Sequence, residues 1–255
     1  MQMTQARWIG MIALAMIVAV LLLVDPIPQS PAYHAFADAR AFLGISNFWN
    51  VLSNLPFLWV GAAGLIAIHR QRLQLADEHL VTAYWVFFYG IALTAFGSGW
   101  YHLAPSNASL AWDRLPMTIG FAGMLTIIVC DLVSVRAGRL LLWPMLAVGA
   151  GSVLYWVYTE SIGAGDLRPY ALVQFLPMLL IMMILIQHRR ETARTRVYWL
   201  MLGWYVLAKV LEYFDAQIFA AGELLSGHSL KHVAAAMAPW VLLRALQKAT
   251  VRAPE

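Results

Sequence analysis

Apolar residues run along this chain in long blocks separated by short polar stretches. Eight blocks stand out, at about 8–24, 48–68, 81–103, 112–133, 140–158, 170–187, 197–219 and 229–246. None alternates with the two-residue period of a membrane barrel strand. About 20 apolar residues cross a bilayer as one α-helix. The pattern therefore predicts an all-α fold, a polytopic transmembrane helix bundle. No linker, low-complexity segment or internal repeat divides it.

The first block follows a short basic lead, Met1 to Arg7, and spans Trp8 to Val24. A secretory apolar region is usually about 7–15 residues and ends at a small-residue cleavage site. This block is longer and leaves through Asp25-Pro26-Ile27-Pro28, so it reads as an uncleaved helix. Either reading sends residues 25–47 to the non-cytoplasmic side.

Composition narrows the class. Of 255 residues, 62% are hydrophobic and 12% charged, against roughly 45–50% and 25% in soluble domains. Such a chain cannot cover its apolar surface with polar groups. A disordered tail, a solvated binding module and an ordinary soluble enzyme are excluded. The net charge of +4 fits basic loops beside anionic lipid better than nucleic acid. Cys130 is the only cysteine, so no internal disulfide forms, and it reads as a small packing residue.

Lys/Arg bias sets the expected orientation. Twelve of the 17 basic residues fall in one set of segments: Arg7; Arg70 and Arg72; Arg136 and Arg139; Arg189, Arg190, Arg194 and Arg196; Arg244, Lys248 and Arg252. The alternate loops hold Arg40, Arg114, Arg168 and Lys231, and Lys209 lies inside a helix. Both termini are then cytoplasmic, in keeping with an even number of crossings.

That topology gathers chemistry at the outer face. His69, His79, His188 and His34 read as loop residues in polar surroundings. The other three histidines fall in one layer with two more polar residues: Ser98 and His102 end one helix, Asp113 starts the next, and His228 and His232 start the last. His228 and His232 are i,i+4 and share a helix face. Three imidazoles with one open position are what a catalytic zinc uses. Water at such a site becomes a nucleophile near neutral pH, Asp113 is placed to move its proton, and Ser98 to stabilise an oxyanion. Asn47, Asn50, Ser53 and Asn54, and Glu160, Asp166, Arg168 and Tyr170, read as loop solvation and helix caps. Trp49, Trp100, Tyr101 and Trp112 read as an aromatic belt. Lys209, Glu212 and Asp215 lie three residues apart on one face of a single helix. Lys209 and Glu212 are expected to pair, and Asp215 to lie near the metal layer and accept a hydrogen bond from a ligand histidine N–H.

The segments Ser46–Pro56 (SNFWNVLSNLP), Gly97–His102 (GSGWYH), Trp112–Pro116 (WDRLP) and Gly227–His232 (GHSLKH) resemble the alkaline ceramidase family, within the wider group of seven-helix membrane hydrolases. The bacterial ceramidase-like branch is the most similar. The resemblance covers about residues 45–247. It implies a seven-helix hydrolase core at 45–247, an additional N-terminal helix and outer loop at 1–44, and a cytoplasmic tail at 248–255. It implies hydrolysis of a ceramide-like lipid amide to a fatty acid and a sphingoid-type amine. It also implies zinc on His102, His228 and His232, with Asp113 as acid/base and Ser98 as oxyanion partner. Eukaryotic members carry an acidic calcium ligand where this chain has Asn47, and only Asp38 is acidic nearby, so a calcium site is unsupported. The expected partner is a membrane lipid, in a bacterial-type inner membrane, with the site toward the outer face. Two other classes fit the pattern less fully. One is a seven-helix receptor or sensor with a structural metal. The other is a transporter using Lys209, Glu212 and Asp215, which lacks the repeats usual in that class.

Overall fold

A computed structural model describes residues 2–70, 78–188 and 192–251. Arg72, Arg189, Arg190 and Arg252, used above for orientation, lie outside them. The chain is an all-α bundle of α1 (Gln2–Leu23), α2 (Phe48–Leu52), α3 (Leu55–His69), α4 (Glu78–Leu103), α5 (Asn107–Leu132), α6 (Val135–Ser161), α7 (Arg168–Gln187), α8 (Ala193–Tyr213), α9 (Asp215–Gly222) and α10 (Gly227–Val251). One 3-10 turn, Pro31–His34, interrupts the segment between α1 and α2.

Two expected single helices are broken. The block at 48–68 divides into α2 and α3. At the junction Ser53 Oγ and Asn54 Nδ2 donate to the Asn50 carbonyl at 3.1 and 2.8 Å, side-chain bonds that compete with helix continuation. Pro56 follows within the first turn of α3. The block at 197–219 breaks at Phe214, and Asp215 opens the separate helix α9. Asp215 therefore does not share one continuous helix face with Lys209 and Glu212. The block placed at 112–133 begins earlier, at Asn107, because Ser106 and Ser109 form a capping box. Asp113 thus sits two turns inside α5.

Among the described residues, six helical segments are long and apolar enough to cross a membrane: α1, α2–α3 together, α4, α5, α6 and α7. Helices α8 and α10 match them in length but carry Lys209, Glu212 and Lys231. These charges meet across the α8–α10 contact. Glu212 accepts from Lys209 Nζ at 2.6 Å and from Lys231 Nζ at 2.5 Å. Lys231, counted above with the outer loops, is inside α10. Arg114, counted likewise, is inside α5 and buried.

Helices α3, α4, α5 and α6 pack in chain order, α8 packs along α10, and α10 returns to α3. Helix α1 lies outside this ring against α7. Only 6% of its apolar window is buried, against 61% for α5, so it is peripheral to the bundle. Helices α4 and α5 approach almost to backbone contact. A Cβ on Gly90 would meet the Gly120 backbone, and one on Gly97 would meet the Trp112 carbonyl. Lipid is as apolar as Leu, so such close packing, rather than a hydrophobic drive, holds membrane helices together. The apolar core, with Phe88, Ile127, Ile128, Ile181, Ile184 and Leu243 wholly buried, fills the bundle away from the histidines.

Candidate metal centre

Two helices deliver the histidines. His102 is the penultimate residue of α4, and α10 begins at Gly227, so His228 and His232 fall within its first two turns. All three are buried. One ligand nitrogen from each lies within 4.8 Å of the others. The ring centroids are 4.9, 4.9 and 5.1 Å apart, and His102 Nε2 is 3.3 Å from His232 Nε2.

The hydrogen bonds around the rings fit a metal. Ser53 Oγ is 2.8 Å from His232 Nδ1 and spends its single proton on the Asn50 carbonyl. His232 Nδ1–H must therefore be the donor to Ser53. That tautomer leaves the Nε2 lone pair facing His102, the arrangement in which a ligating histidine is normally held. His228 Nε2 and His102 Nδ1 are buried without any hydrogen-bond partner. Unpaired buried polar atoms are costly, and a cation among the three rings would relieve that cost. A set of neutral imidazoles suits zinc, copper, iron or nickel.

Asp113 and Ser98 line one cavity together with His232. The lining encloses about 1290 Å³ of empty space, its open mouth included. Arg114, Lys209, Glu212 and Lys231 share the lining with the apolar side chains of Phe57, Phe87, Met124, Ile128, Met178 and Ile181.

Asp215 does come to a ligand histidine, through the backbone. Its Oδ1 accepts the His228 backbone N–H at 2.7 Å, and its Oδ2 accepts that of Ala37 at 3.1 Å. It thereby fixes the start of α10 and ties residues 24–47 across the histidine end. Other ties of this strap are Asn50 Nδ2 to the Asp38 carbonyl, Arg40 to the carbonyls of Glu223 and Leu224, and Gln29 N–H to Glu160. Phe36 lies edge-on against His102 and His228, at 4.7 Å from each ring centroid. Hydrogen bonds from the Arg40 side chain hold the Asp38 carboxyl below its ordinary value, against the opposing effect of burial. That carboxylate, the acidic group nearest Asn47 in sequence, is thus engaged by Arg40 at 2.7 Å.

Several residues differ from their sequence reading. Asn47, Asn50 and Asn54 are buried rather than solvated. Asn47 donates to the His102 carbonyl at 2.9 Å, and Asn50 Oδ1 accepts from Ser229 at 2.8 Å. Tyr101 is buried, not part of a belt, and its hydroxyl meets His34 Nδ1 at 3.0 Å, while His34 Nε2 meets Asn107 Oδ1 at 3.0 Å. Trp49, Trp100 and Trp112 are exposed. Phe36, Lys231 and the bridging role of Glu212 were not foreseen. The i,i+3 spacing of His228 and Lys231 was the available signal for Lys231.

The family model described as Ceramidase matches residues 41–252 of this chain. No curated protein matches it.

Proposed function

The chain belongs to the ceramidase family, and on that premise we propose that it is a zinc-dependent intramembrane hydrolase of a ceramide-like lipid amide. The observation that carries this reading is the buried three-histidine cluster, whose His232 lines a cavity shared with Asp113 and Ser98. The products are a fatty acid and a sphingoid-type amine. His102, His228 and His232 hold the metal, which when bound supplies Lewis acidity toward water and the amide carbonyl. Asp113 takes a proton from the attacking water and returns it to the amide nitrogen, so that the C–N bond breaks with a neutral amine leaving. Ser98 donates a hydrogen bond to the carbonyl oxygen as it gains negative charge. The apolar stretch of the cavity receives the acyl chain. Asp215 and Ser53 hold the ligand histidines in place.

The test is release of fatty acid from a lipid amide by purified protein, with and without a zinc chelator. Chelator-sensitive release is expected. Bound metal with no turnover of any lipid amide overturns the reading in favour of a receptor or sensor with a structural metal. We place both termini in the cytoplasm and the metal centre toward the outer face of a bacterial-type inner membrane, as the Lys/Arg bias supports. A cysteine introduced at Ser106 should then react with an impermeant thiol reagent outside intact cells, and one at Thr192 should not. The reverse pattern overturns that placement.

A further inference from the structure

The cavity beside the histidines carries more positive charge than its own residues neutralise. Its lining holds three cations, Arg114, Lys209 and Lys231, against two carboxylates, Asp113 and Glu212. Glu212 is shared by both lysines, at 2.6 and 2.5 Å. Arg114 is 6% exposed and forms no ion pair among the described residues. Its Nη2 donates to a neutral acceptor, Gln29 Oε1, at 2.6 Å, and its Nη1 is buried with no partner at all. The faces of the guanidinium are taken by Trp156 and Tyr170, whose ring centroids lie 4.2 and 4.6 Å away. The rings fix the fork without satisfying its edge. A buried guanidinium left with a free N–H is costly unless an acceptor arrives. A metal held by neutral imidazoles adds further positive charge to the same layer.

We infer that the cavity is shaped for a lipid amide whose polar end carries an anionic oxygen group, with Arg114 as the residue that recognises it. Arg114 and Asp113 line the same cavity, so an anionic group bound by Arg114 shares that cavity with the scissile amide, while the acyl chain occupies the apolar stretch. The class is that of lipid amides with a carboxylate, sulfonate or phosphate near the amide nitrogen, N-acyl amino acids and N-acyl aminosulfonates among them, which narrows the ceramide-like reading to its anionic members. Arg suits the role because its planar fork matches carboxylate, sulfonate and phosphate oxygens. This inference rests on the hydrolase reading above, and its test separates the two.

Purified full-length protein in nanodiscs of neutral phospholipid is given two amides of the same acyl chain, an N-acyl amino acid and N-acylsphingosine. The anionic amide should be favoured in kcat/KM by about 10–100-fold, the scale of a charged hydrogen bond. Arg114→Gln should collapse that ratio toward one, and Arg114→Lys should restore part of it. Equal or better turnover of the neutral amide by the wild type overturns the inference. So does an Arg114→Gln variant that slows both amides alike, which marks a structural residue. Calorimetry with an alkyl sulfonate and the matching alkyl alcohol provides a readout free of turnover. If neither amide is cleaved but the sulfonate binds more tightly and Arg114→Gln removes the difference, the anion site stands and the hydrolase reading falls. If both amides are cleaved equally and the sulfonate binds no better than the alcohol, the reverse holds.

Discussion

The two ends of this bundle share their helices and differ in what they bury. At the histidine end Asn50, Asn54, Ser98, His102, Ser229 and His232 are all inside the protein. At the opposite end the interior is Phe88, Ile127, Ile128, Ile184, Leu185 and Leu243. At that end Asp131 pairs with Arg194 and accepts from the Tyr198 hydroxyl at 2.9 Å. The group closes on itself. The histidine end leaves His102 Nδ1, His228 Nε2 and Arg114 Nη1 without partners, whereas beside Ile127 the unpaired atom is a lone hydroxyl, that of Thr126. Burying polar atoms costs stability unless they are paired, so a closed group is accounted for by the fold alone. An open one is accounted for by a ligand.

The sharpest way to break this contrast is to remove one histidine and one core residue in parallel. His228→Ala or His232→Ala should abolish both metal retention and hydrolysis, read by metal analysis of purified protein. Ile184→Ala, at the opposite end, should cost about 2–5 kcal/mol of stability and leave the metal in place. Full metal content in both histidine variants would erase the distinction between the two ends. Next in size, Asp113→Asn should lower turnover by about 10²–10⁴-fold with metal retained, and Ser98→Ala by about 10²–10³-fold. Steady-state kinetics alongside metal analysis separates these losses from loss of the ion.

Smaller effects sharpen the comparison within the histidine end. Ser53→Ala removes the acceptor of the His232 ring N–H and should weaken metal affinity by about 10–100-fold in competition with a chelator. Asp215→Asn acts through the backbone and keeps an acceptor oxygen, so its loss should lie at or below the lower edge of that range. A larger effect for Asp215→Asn than for Ser53→Ala would reverse their assigned roles. The smallest effect concerns acid. Arg40 lowers the Asp38 carboxyl below its ordinary value of 3.8, so this tie stabilises the strap at and above that pH. It is lost only as pH falls through the lowered value. Amide hydrogen exchange at residues 36–40 should stay slow in mildly acidic buffer and quicken only under strong acid.

Most of the helices were legible because apolar length alone marks a membrane span. Their breaks were not, since Asn50, Ser53, Asn54 and Asp215 bend the chain through hydrogen bonds whose partners lie elsewhere in the fold. Ser98, His102, Asp113, His228 and His232 were legible from i,i+4 spacing combined with charge bias in the loops. Ser53 and His232 are 179 positions apart, and the order of packed helices, invisible in one sequence, brings them together. The strap and its Phe36 were hidden for another reason. Residues 24–47 have no period of their own, and their ties run to six different helices and the loops between them. Lys231 was misplaced because a cation near a helix start reads as a loop charge until its acidic partner is seen.

Gly97 sits next to Ser98, and the Trp112 carbonyl it faces sits next to Asp113. The spacing between Ser98 and Asp113 is thus gauged by an atom that is not there. Any side chain at position 97 would act as a shim between α4 and α5. A misplacement of about 1 Å can cost on the order of 10²-fold in rate, which is the scale of displacement a single methyl imposes. The working tolerance of this site is therefore set by a hydrogen atom at one backbone position. It can be lost with every hydrophobic contact, every histidine and the fold itself intact.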